Sequence, residues 1–222
     1  MAEIKQKKCL ILANGRPPAK SVITYLMKSG YSTLICADGG ANSACKMELV
    51  PDFIVGDLDS INENTLKQLR RKSIIKKISG QNDTDVEKCL NFAIKKGFEE
   101  AILVGVTGDR LDHSFCNLGI VLKFFEKIAV SIIAENSFLS AYKGNMNLLT
   151  KKGETISLYG FDQKTKITGK GLKYPLNNTS LPFGQKESTS NVAVADKVDL
   201  NIKGGRIFIV RDFKFMRKNG FI

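Results

Sequence analysis

The first part of the chain alternates short apolar runs with longer amphipathic stretches. The apolar runs have the length of strands and occupy residues 9–13, 33–37, 53–55, 74–78, 101–106 and 130–134. The clearest helix between them carries apolar residues at positions i, i+3, i+4, i+7 and i+8, namely Val86, Cys89, Leu90, Ala93 and Ile94. Strands that alternate with helices predict a Rossmann-like parallel sheet with helices on both faces.

The pattern changes after about residue 136. Strand-like segments follow at residues 155–159, 164–168, 198–202 and 206–210, and turn residues at 151–154 and 203–205 separate them. No long helical pattern occurs in this part, which predicts a small all-β sandwich. We therefore expect two domains, an α/β domain over residues 1–136 and a β-sandwich domain over residues 137–222.

Acidic residues follow four successive predicted strands. Asp38 follows the second strand, Asp57 and Asp59 the third, Asp83 and Asp85 the fourth, and Asp109 and Asp112 the fifth. The carboxyl ends of parallel strands lie at one edge of a sheet, where ligands of such folds bind. Carboxylates gathered there repel one another unless a cation lies among them, and Mg²⁺ takes oxygen ligands. This pattern predicts a magnesium site.

Several of these segments also have a structural interpretation. Residues 60–63 and 84–87 both have the form of a capping box, and Asp38-Gly39-Gly40 could be a turn that leads into a helix. The two glycines would equally let backbone N–H groups approach a phosphate. Arg110 and His113 flank Asp112. Arg110 is a candidate for a bidentate contact with phosphate, whereas a lone histidine such as His113 is more often structural than catalytic.

The composition narrows the function classes. The net charge is +12, of which residues 1–136 carry +3 and residues 137–222 carry +9, without a basic stripe that includes aromatics. This distribution disfavours nucleic acid as a partner. No apolar run reaches the roughly 18 residues of a membrane helix, so we expect no membrane partner. Five cysteines without a C-x-x-C pair disfavour zinc and disulfides and indicate a cytoplasmic protein.

Six segments in order resemble the thiamine pyrophosphokinase family, bacterial type. They are Ala37-Asp38-Gly39-Gly40-Ala41-Asn42, Pro51-Asp52-Phe53-Ile54-Val55-Gly56-Asp57-Leu58-Asp59-Ser60, Asn82-Asp83-Thr84-Asp85 with Lys88, Gly105-Val106-Thr107-Gly108-Asp109-Arg110-Leu111-Asp112-His113, Gly171-Leu172-Lys173-Tyr174-Pro175-Leu176 and Ser188-Thr189-Ser190-Asn191. The resemblance implies transfer of pyrophosphate from ATP to the thiamine hydroxyl, which releases AMP. It also implies Mg²⁺ as cofactor, and a homodimer in which each active site is shared between two subunits.

The resemblance assigns roles to named residues. Catalytic and metal-binding roles go to Asp57, Asp59 and Asp85. The residues expected to bind ATP or its phosphates are Asp38, Gly39, Gly40, Asn42, Thr84, Lys88, Thr107, Arg110, Asp112 and His113. The residues expected to bind thiamine are Ser188, Ser190 and Asn191. Two departures from the family pattern are Asn82, where an acid is common, and Val192-Ala193 after Asn191.

Three other interpretations remain open at this point. A related pyrophosphokinase could act on a hydroxymethyl pterin in place of thiamine. A non-catalytic sensor would bind thiamine or a nucleotide without releasing AMP. A nucleic-acid-binding module would show an affinity that falls steeply with salt.

Overall fold

The computed structural model of the protein describes residues 7–80, 82–108 and 110–222. The chain divides into two compact units, Met1–Glu135 and Asn136–Ile222. Within the described residues there are twelve strands and six helices. The predicted mixed α/β class is therefore confirmed, and the division lies beside the boundary expected after residue 136. None of the described helices is both long and apolar enough to cross a membrane.

The first unit is built on six parallel strands. In chain order they are β1 Lys8–Leu12, β2 Thr33–Ala37, β3 Phe53–Gly56, β4 Ile74–Lys77, β5 Glu100–Val104 and β6 Ala129–Ala134. The helices that connect them are α1 Lys20–Lys28, α2 Gly40–Lys46, α3 Glu63–Leu69, α4 Asp85–Lys95 and α5 Leu111–Phe124. Hydrogen bonding places the strands in the order β6-β5-β1-β2-β3-β4, with every neighbouring pair parallel.

The strand order reverses direction once. The chain moves outward from β1 through β2 and β3 to β4, then returns to the other side of β1 with β5. In open parallel sheets a ligand crevice forms at such a reversal, outside the carboxyl ends of the strands. The crevice of this unit therefore lies between the ends of β1 and β5.

The central strands of this sheet are apolar because both of their faces are covered. Leu10, Ile11, Leu34 and Ile35 have no solvent exposure, whereas the edge strand β4 is mostly exposed. Parallel strands that are buried on both faces read as continuous apolar runs. This is why the runs at β1, β2 and β5 were recognisable without any alternation of polar residues.

The two candidate capping boxes have different outcomes. At α4 the Thr84 hydroxyl accepts the Glu87 N–H, and the Glu87 carboxylate accepts the Thr84 N–H, so the capping box is confirmed. The capping box at residues 60–63 is wrong, because α3 begins at Glu63 after Asn62 and has no side-chain cap. Ser60 is therefore available for other contacts.

The second unit is built from antiparallel strands. They are β7 Ser137–Leu149, β8 Thr155–Tyr159, β9 Lys166–Lys170, β10 Leu176–Thr179, β11 Ser188–Val192 and β12 Lys197–Asp212, followed by the short helix α6 Phe213–Lys218. The long strand β12 pairs with β7 along its length, with β9 in its first half and with β8 in its second half. A single apolar core is shared by residues of β8, β9 and β12, with Ile156, Ile167 and Ile207 fully buried.

The turn predicted at residues 203–205 is wrong. The strands expected at 198–202 and 206–210 are two halves of β12, which continues through the glycines with a register shift between Ile202 and Ile207. Gly204 has a φ of +84°, and a Cβ at Gly205 would lie 2.1 Å from the Thr165 Oγ1. The two glycines therefore serve a bulge and a close packing contact within a continuous strand.

Candidate functional site

Three aspartates converge at the carboxyl edge of the parallel sheet. One carboxylate oxygen from each of Asp38, Asp57 and Asp59 lies within 4.8 Å of the others. Asp38 follows β2 and is 1 % exposed, whereas Asp57 and Asp59 follow β3 and are progressively more open to solvent. The predicted gathering of acids is thus present in the structure, and Asp38 belongs to it although the sequence assigned that residue to ATP.

The backbone is unusual where it presents these acids. Asp38 has a φ of +40° and Leu58, between Asp57 and Asp59, a φ of +69°. Residues other than glycine rarely adopt this left-handed backbone conformation, and those that do are concentrated at functional sites. Gly56 makes room for the cluster, because a Cβ there would lie 2.8 Å from the Asp38 Cβ and 3.3 Å from the Asp85 Oδ1.

Two carboxylate oxygens in the cluster have no protein partner. Among the described residues, the buried Oδ1 atoms of Asp38 and Asp57 both lack a hydrogen-bond donor. Buried polar atoms in native proteins are nearly always paired, so two orphaned oxygens in one cluster call for a cation. The donor set, all carboxylate oxygens, suits Mg²⁺. The residues therefore fit the ion that the sequence predicts, although its presence stays a prediction.

The electrostatics of Asp38 reflect this crowding. Burial raises the pKa of Asp38 to about 6, and the neighbouring carboxylates of Asp57, Asp85 and Asp59 add to the increase. The Ser60 N–H, which donates to the Asp38 Oδ2 at 3.4 Å, opposes the increase in part. Without a cation, this carboxylate thus takes up a proton more readily than an ordinary aspartate.

A buried ammonium group balances two of the acids. The Lys88 Nζ lies 2.9 Å from the Asp57 Oδ2 and 2.9 Å from the Asp85 Oδ1, and the Lys88 side chain is 4 % exposed. Hydrogen bonding to Lys88 lowers the pKa of Asp57. Burial alone lowers the pKa of Lys88, but the two carboxylates outweigh burial and raise it. Asp85 thereby joins the cluster through the lysine.

Ser60 and Asn42 fix the loop that follows the cluster. The Ser60 hydroxyl donates to the Asp59 Oδ1 at 2.9 Å. The Asn42 side chain donates to the Ser60 carbonyl at 2.9 Å and accepts the Asn62 N–H at 3.0 Å. Asn42 therefore ties α2 to the loop before α3, and its predicted contact with ATP stays untested.

A cleft of about 540 Å³ opens at the strand-order reversal. Its lining includes seven of the residues predicted to act on ATP or the metal, namely Gly39, Thr84, Asp85, Thr107, Arg110, Asp112 and His113. Arg110 donates from Nε and a terminal nitrogen to the Asp112 carboxylate, and this lowers the pKa of Asp112. The carboxylates and the nucleotide-assigned residues thus share one edge of the first unit. Asp109 lies outside the described residues.

Other contributors to this cleft were not singled out from the sequence. Asn14 and Gly15, directly after β1, line it together with Cys116 and Asn117 of α5. The Gly15 N–H donates to the Gly105 carbonyl at 2.7 Å, which brings the loops after β1 and β5 together. The available signal was the Asn-Gly pair at the end of the first predicted strand, because it falls at the same sheet edge as the acids.

Close packing alone explains why glycine occupies the two positions after Asp38. A Cβ at Gly39 would lie 2.5 Å from the Asn14 Nδ2, and a Cβ at Gly40 would lie 2.1 Å from the Leu12 carbonyl oxygen. Any side chain at Gly40 would collide with the backbone of β1. Close packing of the start of α2 against β1 and against Asn14 in the loop after β1 therefore accounts for these glycines, whether or not their N–H groups also contact a phosphate.

In the second unit, the residues predicted to bind thiamine lie on β11. Asn191 is 1 % exposed, and its side chain accepts the Tyr174 N–H at 3.0 Å and donates to the Tyr174 carbonyl at 2.8 Å and to the Ser188 Oγ at 3.1 Å. Ser190 is exposed, has a φ of +54° and lies at a bulge opposite β8. Asn191 thus holds the Tyr174 segment, and Ser190 is the more accessible of the two.

Comparison with known proteins gives a consistent result over both units. Residues 25–133 match the family model described as thiamin pyrophosphokinase, catalytic domain, and residues 145–207 match thiamin pyrophosphokinase, vitamin B1 binding domain. The chain is 27 % identical to thiamin pyrophosphokinase 1 of Caenorhabditis elegans, over 94 % of this chain and 92 % of that protein.

Solved structures resemble this fold. The thiamine pyrophosphokinase of Bacillus subtilis superposes with a TM-score of 0.80 at 21 % identity, covering 93 % of this chain and 99 % of the other. That of Candida albicans also gives 0.80, at 19 % identity, covering 94 % of this chain and 90 % of the other. None of these similarities supports the alternative of a pterin pyrophosphokinase.

Proposed function

The chain belongs to the thiamine pyrophosphokinase family, and from this premise we propose how its residues carry out the transfer of pyrophosphate from ATP to thiamine. The single observation that carries the proposal is the cluster of Asp38, Asp57 and Asp59 beside the cleft of the first unit. Transfer of a phosphoryl group from the highly charged ATP needs positioning and neutralisation of charge more than it needs a covalent intermediate.

We propose that Asp38, Asp57 and Asp59 would hold Mg²⁺, with Asp85 close by. The support is the pair of orphaned, buried oxygens on Asp38 and Asp57. When bound, Mg²⁺ would neutralise charge on the phosphate oxygens of ATP. The protein itself keeps the carboxylates in place through the left-handed backbone at Asp38 and Leu58.

ATP would lie in the cleft at the strand-order reversal. Thr107 and Arg110 line it, and Arg110 could exchange its present partner, Asp112, for a phosphate oxygen. A guanidinium group already oriented by a carboxylate needs little ordering to form a bidentate contact with phosphate. Asp85 lines this cleft and also contacts the Lys88 ammonium group through one oxygen, so its carboxylate could orient the attacking hydroxyl.

The second unit would supply the contacts to thiamine. We propose that it is a β-sandwich, as its single core shared by several antiparallel strands suggests, and that the first unit is a Rossmann-like layer. Ser190 would bond the aminopyrimidine ring directly, because it is exposed on β11. Asn191 is committed to Tyr174 and Ser188, so it would shape the site.

We further propose a homodimer in which a second copy completes each site. Leu111 and Phe115, on the helix whose first turn lines the cleft, are 83 % and 65 % exposed. Large apolar side chains exposed together commonly mark a protein interface.

All five cysteines are free, which suits the cytoplasmic location we propose.

The proposal is tested by incubating the protein with thiamine, ATP and Mg²⁺. Wild-type protein should form thiamine pyrophosphate and AMP. Asp57→Asn and Asp59→Asn should each lower kcat about 100-fold or more, because a catalytic metal contributes several kcal/mol. Glu63→Gln, an exposed acid on α3, should keep full activity. Near-wild-type turnover in both aspartate variants would rule out the carboxylate cluster as the metal site.

A further inference from the structure

Lys88 is in an unusual position for a residue that is expected to bind phosphate. Lysine is almost never fully buried unless it is paired, and this side chain is only 4 % exposed. Both of its observed contacts are carboxylates, at 2.9 Å each. A lysine that reaches a bound phosphate needs an accessible ammonium group, whereas the ammonium group of Lys88 is buried and paired with two carboxylates.

We propose that Lys88 is a positioning residue that holds the carboxylates of Asp57 and Asp85 at a fixed separation and does not itself contact the nucleotide. This inference rests on the proposed function, because it concerns the same active site. Asp57 comes from the end of β3 and Asp85 from the first position of α4. Lys88 thus joins two elements that carry different acids.

The start of α4 is rigid enough for this role. The reciprocal hydrogen bonds between Thr84 and Glu87 fix the first turn, and Glu87 also pairs with Lys123 of α5. Asp85 and Lys88 are three residues apart, so they lie on the same face of this turn. The Cys89 thiol beside Lys88 reaches the Val55 carbonyl of β3, which keeps the helix against that strand. The turn of α4 that carries Lys88 is therefore held in place by contacts other than the one between Lys88 and Asp57.

The contact with Asp57 also selects which oxygen remains available. Lys88 donates to Oδ2, while Oδ1 of the same carboxylate is buried and has no protein partner. One oxygen of Asp57 is thus anchored and the other is presented to the cluster with Asp38. Without the ammonium group, the carboxylates of Asp57 and Asp85 would repel each other, and each would be free to rotate.

Two variants and a control test the role. Lys88→Met keeps the length of the side chain and removes its charge. Since a displacement of about 1 Å in an active site can cost about 100-fold in rate, we expect kcat to fall by about that factor. The KM for ATP should stay within about threefold, as expected when binding of the ground state is unaffected. Lys95→Met, an exposed lysine on the same helix, should leave both constants unchanged.

Lys88→Arg is the conservative variant. It restores the positive charge but places a larger, planar group between the carboxylates, so kcat should recover to about tenfold below wild type. If Lys88→Met fails to fold, as judged by thermal unfolding, the arginine variant still tests the role through a lowered kcat at unchanged KM. Wild-type kcat in a folded Lys88→Met or Lys88→Arg protein would overturn the proposal. A tenfold or larger rise in the KM for ATP at unchanged kcat would also overturn it, in favour of a phosphate contact.

A structural measurement separates this proposal from the proposed function. In a crystal structure of metal-free Lys88→Met, the carboxylates of Asp57 and Asp85 should lie more than about 1 Å further apart than in wild type. An unchanged separation would overturn the positioning role even if activity were lost. If wild-type protein made no thiamine pyrophosphate, the proposed function would fail, while this comparison would still decide whether Lys88 sets the separation.

Discussion

The cluster of aspartates should make the metal-free protein less stable than a variant that lacks one of its charges. Asp38 is the member to change, because it is 1 % exposed and burial raises its pKa from 3.8 to about 6. We expect Asp38→Asn to be more stable than wild type at neutral pH in the presence of EDTA. Asparagine has the same shape, and its oxygen can still accept the Ser60 N–H.

The size of the effect follows from proton linkage. A group whose pKa is higher in the folded state favours folding below its unfolded pKa, and this contribution is lost as the pH rises through the folded value. For a shift from 3.8 to about 6 the full loss is about 3 kcal/mol, reached above about pH 7. At pH 5 about half of it should apply, and near pH 4 little should remain.

Urea unfolding at pH 7.5, 5 and 4 measures this difference directly. With EDTA, Asp38→Asn should exceed wild type by up to about 3 kcal/mol at pH 7.5, and the gap should narrow as the pH falls. Saturating Mg²⁺ should then stabilise wild type more than the variant, because ligands stabilise the state that binds them. If the variant were less stable than wild type at pH 7.5 in EDTA, or the gap did not change with pH, the buried charge of Asp38 would not be destabilising the metal-free protein.

Two further predictions concern packing and assembly. Gly40→Ala should destabilise the protein by about 1–3 kcal/mol in urea unfolding, because its Cβ would lie 2.1 Å from the Leu12 carbonyl oxygen. Gly119→Ala on α5 should instead stabilise it by about 0.5–1 kcal/mol, since nothing lies within 4 Å, and equal effects of the two would contradict the packing account. Mixing inactive Asp57→Asn and Asn191→Ala proteins after dissociation should restore roughly a quarter of the sites if two copies share each site. Full exchange of subunits with no recovered activity would reject a shared site.

The strands of the first unit were predictable because their burial pattern is simple. Parallel strands covered on both faces appear as uninterrupted apolar runs, and the run at residues 33–37 coincides with β2. The second unit was harder, because β7 and β11 mix exposed and buried positions. The Gly204-Gly205 pair has the composition of a turn, and only tertiary packing against Thr165 shows that it lies within β12.

The site was predictable in its chemistry and less so in its contacts. The placement of Asp57 and Asp59 after one strand, and of Asp38 after its neighbour, follows from the parallel order, so their convergence could be expected. Sequence spacing could not show that Lys88 is buried against Asp57, because that contact depends on how α4 packs on β3. Nor could it show that the side-chain amide of Asn191 is already hydrogen-bonded to Tyr174 and Ser188.

We propose that the cleft and its carboxylates act together in the transfer of the pyrophosphoryl group from ATP to thiamine. The most direct measurement is a single-turnover reaction of excess protein with thiamine, Mg²⁺ and ATP labelled at its β-phosphorus. Direct attack at that phosphorus places the label in thiamine pyrophosphate and releases unlabelled AMP in equal amount. Label that stays in ADP, together with the appearance of thiamine monophosphate, would show that a single phosphoryl group is transferred and would contradict direct transfer of pyrophosphate.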